Sequence, residues 1–364
     1  MKQQKSRILV QLAKALKRKH IQRLTPSLII MAVLVVAAVT QSQGHNCNSP
    51  RNGTIHPLNS MNDSAGRFPL DAVSLTSSSD CLAGKPYCYD TPIHLNSPIN
   101  TPWFEGKPAL SADGLELYFV SDRPGALGGP GDQDIYLSRR QSINDDWGPP
   151  ERVPPPISSP FFDITPTISR DGLALYFGSS RPGPFSPPLP DLWVSHRAST
   201  NDPWGEPENL GSGINTPLFE ASISVSDDEL VAYFAGVTPE FVFKIFVSKR
   251  ESKDQPFGPR VLVDPPINFD GHAYGPELTP NGRTMFFSAG IDNPFAHGAI
   301  NHLYVSERKN LNEPWGNPIY LDTINCLNCF EGLPTIRADG KEICWTGDRG
   351  DSLGDKDIYC ARRR

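Results

Sequence analysis

Four carboxylates recur at one position of a repeating pattern. Glu105, Asp163, Glu220 and Glu331 each stand three residues before a proline or its equivalent, Ile223. Carboxylates gathered around one opening bind a metal or a cationic ligand, or divide into the acid and base of glycoside cleavage. The fifth occurrence breaks the series: Ala273 takes the acid's place, between His272 and Tyr274. If one side of such an opening reads a ligand, the departure at His272 and Tyr274 marks it. Repetition also argues against catalysis, because equivalent copies give their acids similar environments, whereas acid–base chemistry needs pKa values pushed apart. The sequence therefore favours a structural bond in each copy, accepted from a neighbouring turn or made to an arginine.

Two further clusters carry chemistry. Asp348, Asp351, Asp355 and Asp357 crowd one Gly-rich loop, where calcium is the ion their oxygens would take. Their spacing is not that of an EF-hand, and Asp and Gly are also what hairpin turns require. Cys326 and Cys329 form a CxxC, readable as a local disulfide, a redox pair or half a zinc site. No βαβ context and no second ligand pair accompany it, which leaves the disulfide in front.

The elements that position these residues are written five times. "PALSADGLELYF" begins at Pro108, "PTISRDGLALYF" at Pro166, "ASISVSDDELVAYF" at Ala221, "PELTPNGRTMFF" at Pro276 and "PTIRADGKEICW" at Pro334. Each is followed by a second apolar run with a basic end, of the kind "DIYLSRR" or "DLWVSHR". Within it, Asp134, Asp191, Lys244, His302 and Asp357 each precede by six residues Arg140, Arg197, Arg250, Arg308 and Arg363. Seven residues beyond the first four arginines stand Trp147, Trp204, Phe257 and Trp315, each followed by Gly. One aromatic per copy reads as packing between copies, with sugar stacking as the lesser alternative.

Runs such as "ELYFV" are apolar on both faces and suit sheets with neighbours on each side. Four short strands per copy, stacked radially, predict an all-β fold: a five-bladed β-propeller of four-stranded antiparallel blades. The last copy ends at Arg364 without a fourth strand. "TPIHLNSPINTP" at 91–102 matches the fourth strand and crossover of "PENLGSGINTP" at 207–217, so the last blade is expected to be closed by this N-terminal strand. Cys88 with Cys360 would lock that closure; Cys344 with Cys360, on adjacent strands, competes for the same thiol.

The paired signatures "DGxxLYFxSxRPG" and "DIYxSxR" resemble the WD40-like propeller repeats of the TolB type, over residues 91–364. The resemblance implies binding and scaffolding of proteins in the envelope or outside the cell, with no cofactor required. Five-bladed propellers also host glycosidases, so a glycoside-active enzyme using the channel carboxylates is the alternative.

Eight Lys or Arg and no Asp or Glu occupy residues 1–44, ahead of and around the apolar "LIIMAVLVVAAV" at 28–39. This reads as a signal peptide, or as an uncleaved anchor that contacts the membrane. Residues 45–90 read as a linker tied to the body through Cys81 and Cys88. Export to the periplasm, cell surface or exterior follows, with disulfides permitted. The net charge is −6 despite that basic start, so the body is acidic and nucleic acid is excluded as a partner on electrostatic grounds. An envelope or extracellular protein, or a carbohydrate, is the expected partner. Neither a GxSxG elbow nor a P-loop is present.

Overall fold

The computed structural model describes residues 87–129, 131–185, 189–291, 293–294 and 299–364. The basic start, the apolar stretch at 28–39 and Cys81 lie outside them. Among the described residues no helix is long and apolar enough to cross a membrane.

Among the described residues, twenty strands form five antiparallel sheets of four. The first blade is β2 (Glu105–Leu110), β3 (Glu116–Ser121), β4 (Asp134–Arg139) and β5 (Glu151–Arg152); the second is β6 (Asp163–Ile168), β7 (Ala174–Ser179), β8 (Asp191–His196) and β9 (Glu208–Asn209). The third runs β10 (Glu220–Val225), β11 (Val231–Val237), β12 (Phe243–Lys249) and β13 (Val261–Leu262). The fourth runs β14 (His272–Leu278), β15 (Thr284–Gly290), β16 (His302–Glu307) and β17 (Ile319–Tyr320). In the fifth, β18 (Glu331–Ile336), β19 (Glu342–Gly347) and β20 (Asp357–Arg362) are completed by β1 (Ile93–His94), with Ile93 opposite Cys360.

The innermost strands β2, β6, β10, β14 and β18 pack in that order, and β18 packs against β2, which closes the ring. Five apolar clusters fill the five seams. Tyr118, Ile135 and Leu137 meet Leu175, Phe177 and Trp193 between the first and second blades. Leu117, Phe119 and Tyr136 meet Cys344, Ile358 and Cys360 where the ring closes. This is why the second and third strands are apolar on both faces: each face belongs to a different seam.

Ring closure extends beyond β1. Asn100 accepts from the Ile358 backbone N–H at 2.8 Å and donates to its carbonyl at 2.9 Å. Asn215 does the same to Leu192, and Asn268 to Ile245, within consecutive chain. The crossover clamp that the second, third and fourth blades take from the segment following them is thus supplied to the last blade from the chain's other end, while Ser158 stands in the asparagine's place after the first. Tyr87 and Tyr89 are buried in the seam between the fourth and fifth blades, so the propeller includes residues 87–90, which the repeat pattern assigns to the linker.

Disulfides join Cys344 to Cys360 on adjacent strands and Cys326 to Cys329. The alternative pairing of Cys88 with Cys360 is thereby overturned. Cys344 and Cys360 face each other directly in the β19–β20 register, Cα atoms 4.0 Å apart, and Cys88 is disulfide-bonded elsewhere.

Candidate functional site

The four repeat acids are fully buried at the starts of the innermost strands; each is held by its own blade, and Glu105, Asp163 and Glu220 also by the crossover leading into it. Asp163 accepts from the Ser159 backbone N–H (2.6 Å) and hydroxyl (2.7 Å), from Ser179 (2.6 Å) and from the Arg181 guanidinium (2.9 Å). Glu105 repeats the set with Thr101, Ser121 and Arg123, the arginine at 3.1 Å. Glu331 is bound by Arg349 at 2.8 Å and by the Trp345 indole N–H.

In these three blades the arginine comes from the loop after the second strand, the "RPG" of the first two and the "DRG" of the fifth. The third blade has no arginine there, and Arg260, beside the fourth strand, reaches Glu220 at 2.7 Å instead. The fourth blade has Ala273 in place of the acid and no arginine in its "AGIDNP" loop. Acid and arginine are kept or lost together. Burial pushes Glu220 and Glu331 up to about 7, against the pull of Arg260 and Arg349 and of their hydrogen bonds, and it raises Glu105 and Asp163 as well.

The third-strand arginines do a different job from pairing with these acids. Arg140, Arg197, Arg250 and Arg308 lie over Trp147, Trp204, Phe257 and Trp315, with 4.2 to 4.5 Å from guanidinium carbon to ring centroid. Each also donates to the carbonyl of its blade's tight turn, at Gly114, Gly172, Glu229 and Gly282. In the last blade Arg363 lies over Tyr87, so the N-terminal segment supplies the missing aromatic. The Trp column is therefore occupied as a cation–π platform inside the fold.

The loop aspartates are not brought together. Asp357 bonds His94 at 2.6 Å, Asp351 accepts from Tyr359, Asp348 accepts from the Phe330 backbone N–H, and Asp355 is exposed. Among the described residues, the acids, thiols and imidazoles close enough to share an ion are Cys326, Cys329 and Glu331. There the sulfurs are bridged to each other and the carboxylate is held by Arg349.

A cavity of about 240 Å³ opens at the end of the channel where the innermost strands begin, and all five blades line it. Its walls are aromatic: Phe104, Phe219, Phe243 and Phe330. Three of these directly precede the repeat acids in sequence, a column that also includes Phe162 and, in the fourth blade, His272. His272 itself is buried and accepts from the Phe243 backbone N–H at 3.2 Å, while Tyr274 lines the cavity.

The floor is set by a bulge in every innermost strand. Its turning residue is left-handed at Lys107 (φ 43°), Thr165 (50°), Ser222 (52°), Gly275 (59°) and Leu333 (56°). All but Gly275 line the cavity. Lys107 is 2 % exposed, and its Nζ has no hydrogen-bond partner among the described residues. The buried Tyr274 hydroxyl has none either. Among the described residues, Asp355 is the sole carboxylate of the lining.

No family model matches this sequence, and no curated protein matches it. The fold is shared with solved structures at low identity. An α-L-arabinofuranosidase from Lactobacillus brevis is 15 % identical, with a TM-score of 0.50, covering 74 % of this chain and 92 % of that one. An α-L-arabinofuranosidase from Podospora anserina, solved with cellotriose, is 9 % identical with a TM-score of 0.50, covering 76 % and 97 %. A TolB from Agrobacterium tumefaciens is 15 % identical with a TM-score of 0.43, covering 72 % and 91 %. At these identities the likeness to the two arabinofuranosidases carries the propeller fold and nothing finer.

Proposed function

We propose that this chain is an exported, non-catalytic binding propeller whose working surface is the cavity at the channel mouth. One observation carries the reading: the repeat acids are spent inside their blades, each with its own arginine, while the cavity presents a single carboxylate among the described residues. Glycoside cleavage by the usual route needs two carboxyl groups about 5 to 9.5 Å apart across the sugar. The opposite end of the channel holds Glu277 and Asp227, and Asp227 is already bonded to Arg170 at 2.7 Å. Export is supported by the buried Cys344–Cys360 bridge, which forms and persists in oxidising compartments.

The test incubates the protein with arabinosyl and xylosyl oligosaccharides, peptidoglycan fragments and small apolar probes, reading thermal shift and products by mass spectrometry in the same wells. Binding without turnover, lost when Ala235→Leu fills the cavity, is the expected result. Turnover of any glycan, abolished by Glu277→Gln or Asp355→Asn, would make the protein an enzyme.

A further inference from the structure

A buried lysine without a hydrogen-bond partner is costly, because an ammonium taken out of water needs an anion or an acceptor to replace its hydration. Lys107 is in that position within the channel. Its backbone N–H is satisfied by Thr346 at 2.8 Å, which anchors the strand bulge, yet its Nζ has no hydrogen-bond partner among the described residues. The one carboxylate that acts on it, Glu277, lies beyond ion-pair distance and accepts from Thr335 at 3.2 Å. Tyr274, which lines the same cavity, is 4 % exposed, and its hydroxyl likewise has no partner among the described residues and is able to donate. Two residues with orphaned donors thus line one aromatic-walled space.

Lys356, the other lysine of the lining, is already engaged. It donates to the Pro294 carbonyl at 3.2 Å and rests 3.8 Å from the centroid of Phe330. It stands at one side of the cavity beside Asp355 and Asp348 and does not supply the missing acceptor.

Resting on the reading of the cavity as a binding site, we infer that its ligand is a small monocarboxylate with an aromatic or alkyl body. The carboxylate would be received by Lys107 Nζ and the Tyr274 hydroxyl, and the body held among Phe104, Phe219, Phe243 and Phe330. The size fits: about 240 Å³ lies below the roughly 300–1,000 Å³ of pockets for drug-sized ligands, so the occupant is small. The charge fits as well. Burial drives the free Lys107 below the usual lysine range, and an entering carboxylate returns the charge that burial removes.

The experiment uses the full chain, exported so that its disulfides form, and calorimetric titration with matched pairs: benzoate and benzamide, phenylacetate and phenylacetamide, hexanoate and hexanamide. Each acid is expected to bind roughly tenfold to a hundredfold tighter than its amide, the difference a charge-assisted bond makes. Lys107→Met, an apolar chain in an apolar surrounding, is expected to raise the melting temperature and to make acid and amide equal. Tyr274→Phe is expected to weaken the acids and leave the amides unchanged. Equal binding of acid and amide to the wild type, or an acid preference that survives Lys107→Met, would overturn the inference while leaving the cavity as a binding site. Failure of both series to bind would overturn the cavity reading itself.

Discussion

Replacing Arg181 by Leu tests whether the acid column is structural, and the structure sets the size of the effect. Asp163 is fully buried, and Arg181, 14 % or less exposed like its counterpart Arg123, supplies its one charged partner. Removing one member of a buried pair leaves an uncompensated charge and costs about 3–5 kcal/mol. Arg181 also donates to the carbonyls of Pro156 (3.1 Å) and Ile157 (2.6 Å) and lies over Phe177 and Trp193. These losses place Arg181→Leu at the upper end of that range. Asp163→Asn keeps at most half of the accepted hydrogen bonds, since the amide has one acceptor oxygen, and leaves an arginine that is 12 % exposed, so a cost of about 1.5–3 kcal/mol or more is expected, at least that of a charge-assisted bond.

The double variant should cost less than the sum of the two by at least about 1 kcal/mol, because the pair is lost once. Arg139, 56 % exposed and 2.9 Å from Glu116, is the control: its replacement should cost no more than about 1 kcal/mol. Urea unfolding with the slope held common to all variants reads these differences. Additive single effects, or an Arg181→Leu cost no greater than that of Arg139→Leu, would refute the structural assignment and return the carboxylates to the candidates for chemistry.

Three further outcomes follow from other parts of the ring. The raised pKa values of Glu220 and Glu331 mean that the folded state holds protons the unfolded state has released. Stability should therefore fall as pH rises from about 4.5 to about 7, and Glu220→Gln should flatten that slope in melting curves across the range. The Cys344–Cys360 bridge spans 16 residues of chain, so its removal by paired Ala substitutions should cost about 3 kcal/mol by the loop-closure relation, measured by denaturant unfolding of the oxidised protein and the variant. Gly275→Ala should destabilise by about 1–2 kcal/mol, since its φ is +59° and a Cβ would lie 3.1 Å from the backbone and side chain of Leu333; an unchanged melting temperature would deny the bulge its left-handed turn.

The blade count and the closure by an N-terminal strand were legible because repeats fix them: a pattern written five times, with one fourth strand displaced to the start, has few closed arrangements. The acid column was legible as a column. Its role was not, because the partner of Asp163 is Arg181 of "RPG", eighteen residues on, rather than the third-strand arginine whose strict spacing drew notice. That second arginine instead serves the Trp seven residues later, a pairing the spacing did announce. The third blade hides its ion pair further, since Arg260 comes from a part of the repeat that carries no arginine in the second and fourth blades.

The aromatic walls left a signal in the Phe that precedes each acid, obscured by interest in the acid itself. The bulges left none: Lys107, Thr165, Ser222 and Leu333 take a left-handed conformation without the glycine that usually marks it, imposed by the crowding of five strands around one axis. Lys107 is buried only because the ring closes over it, a tertiary fact that no local pattern encodes.

The central claim is that the channel cavity, and not the acid column, meets the ligand. A crystal of the protein grown with phenylacetate tests it most directly. Density is expected in the cavity, with the carboxylate about 3 Å from Lys107 Nζ and the ring among the four phenylalanines, and with the four acids still bound to their arginines. An empty cavity at a concentration that saturates binding in solution, or a ligand seated against Glu105, Asp163, Glu220 or Glu331, would contradict it.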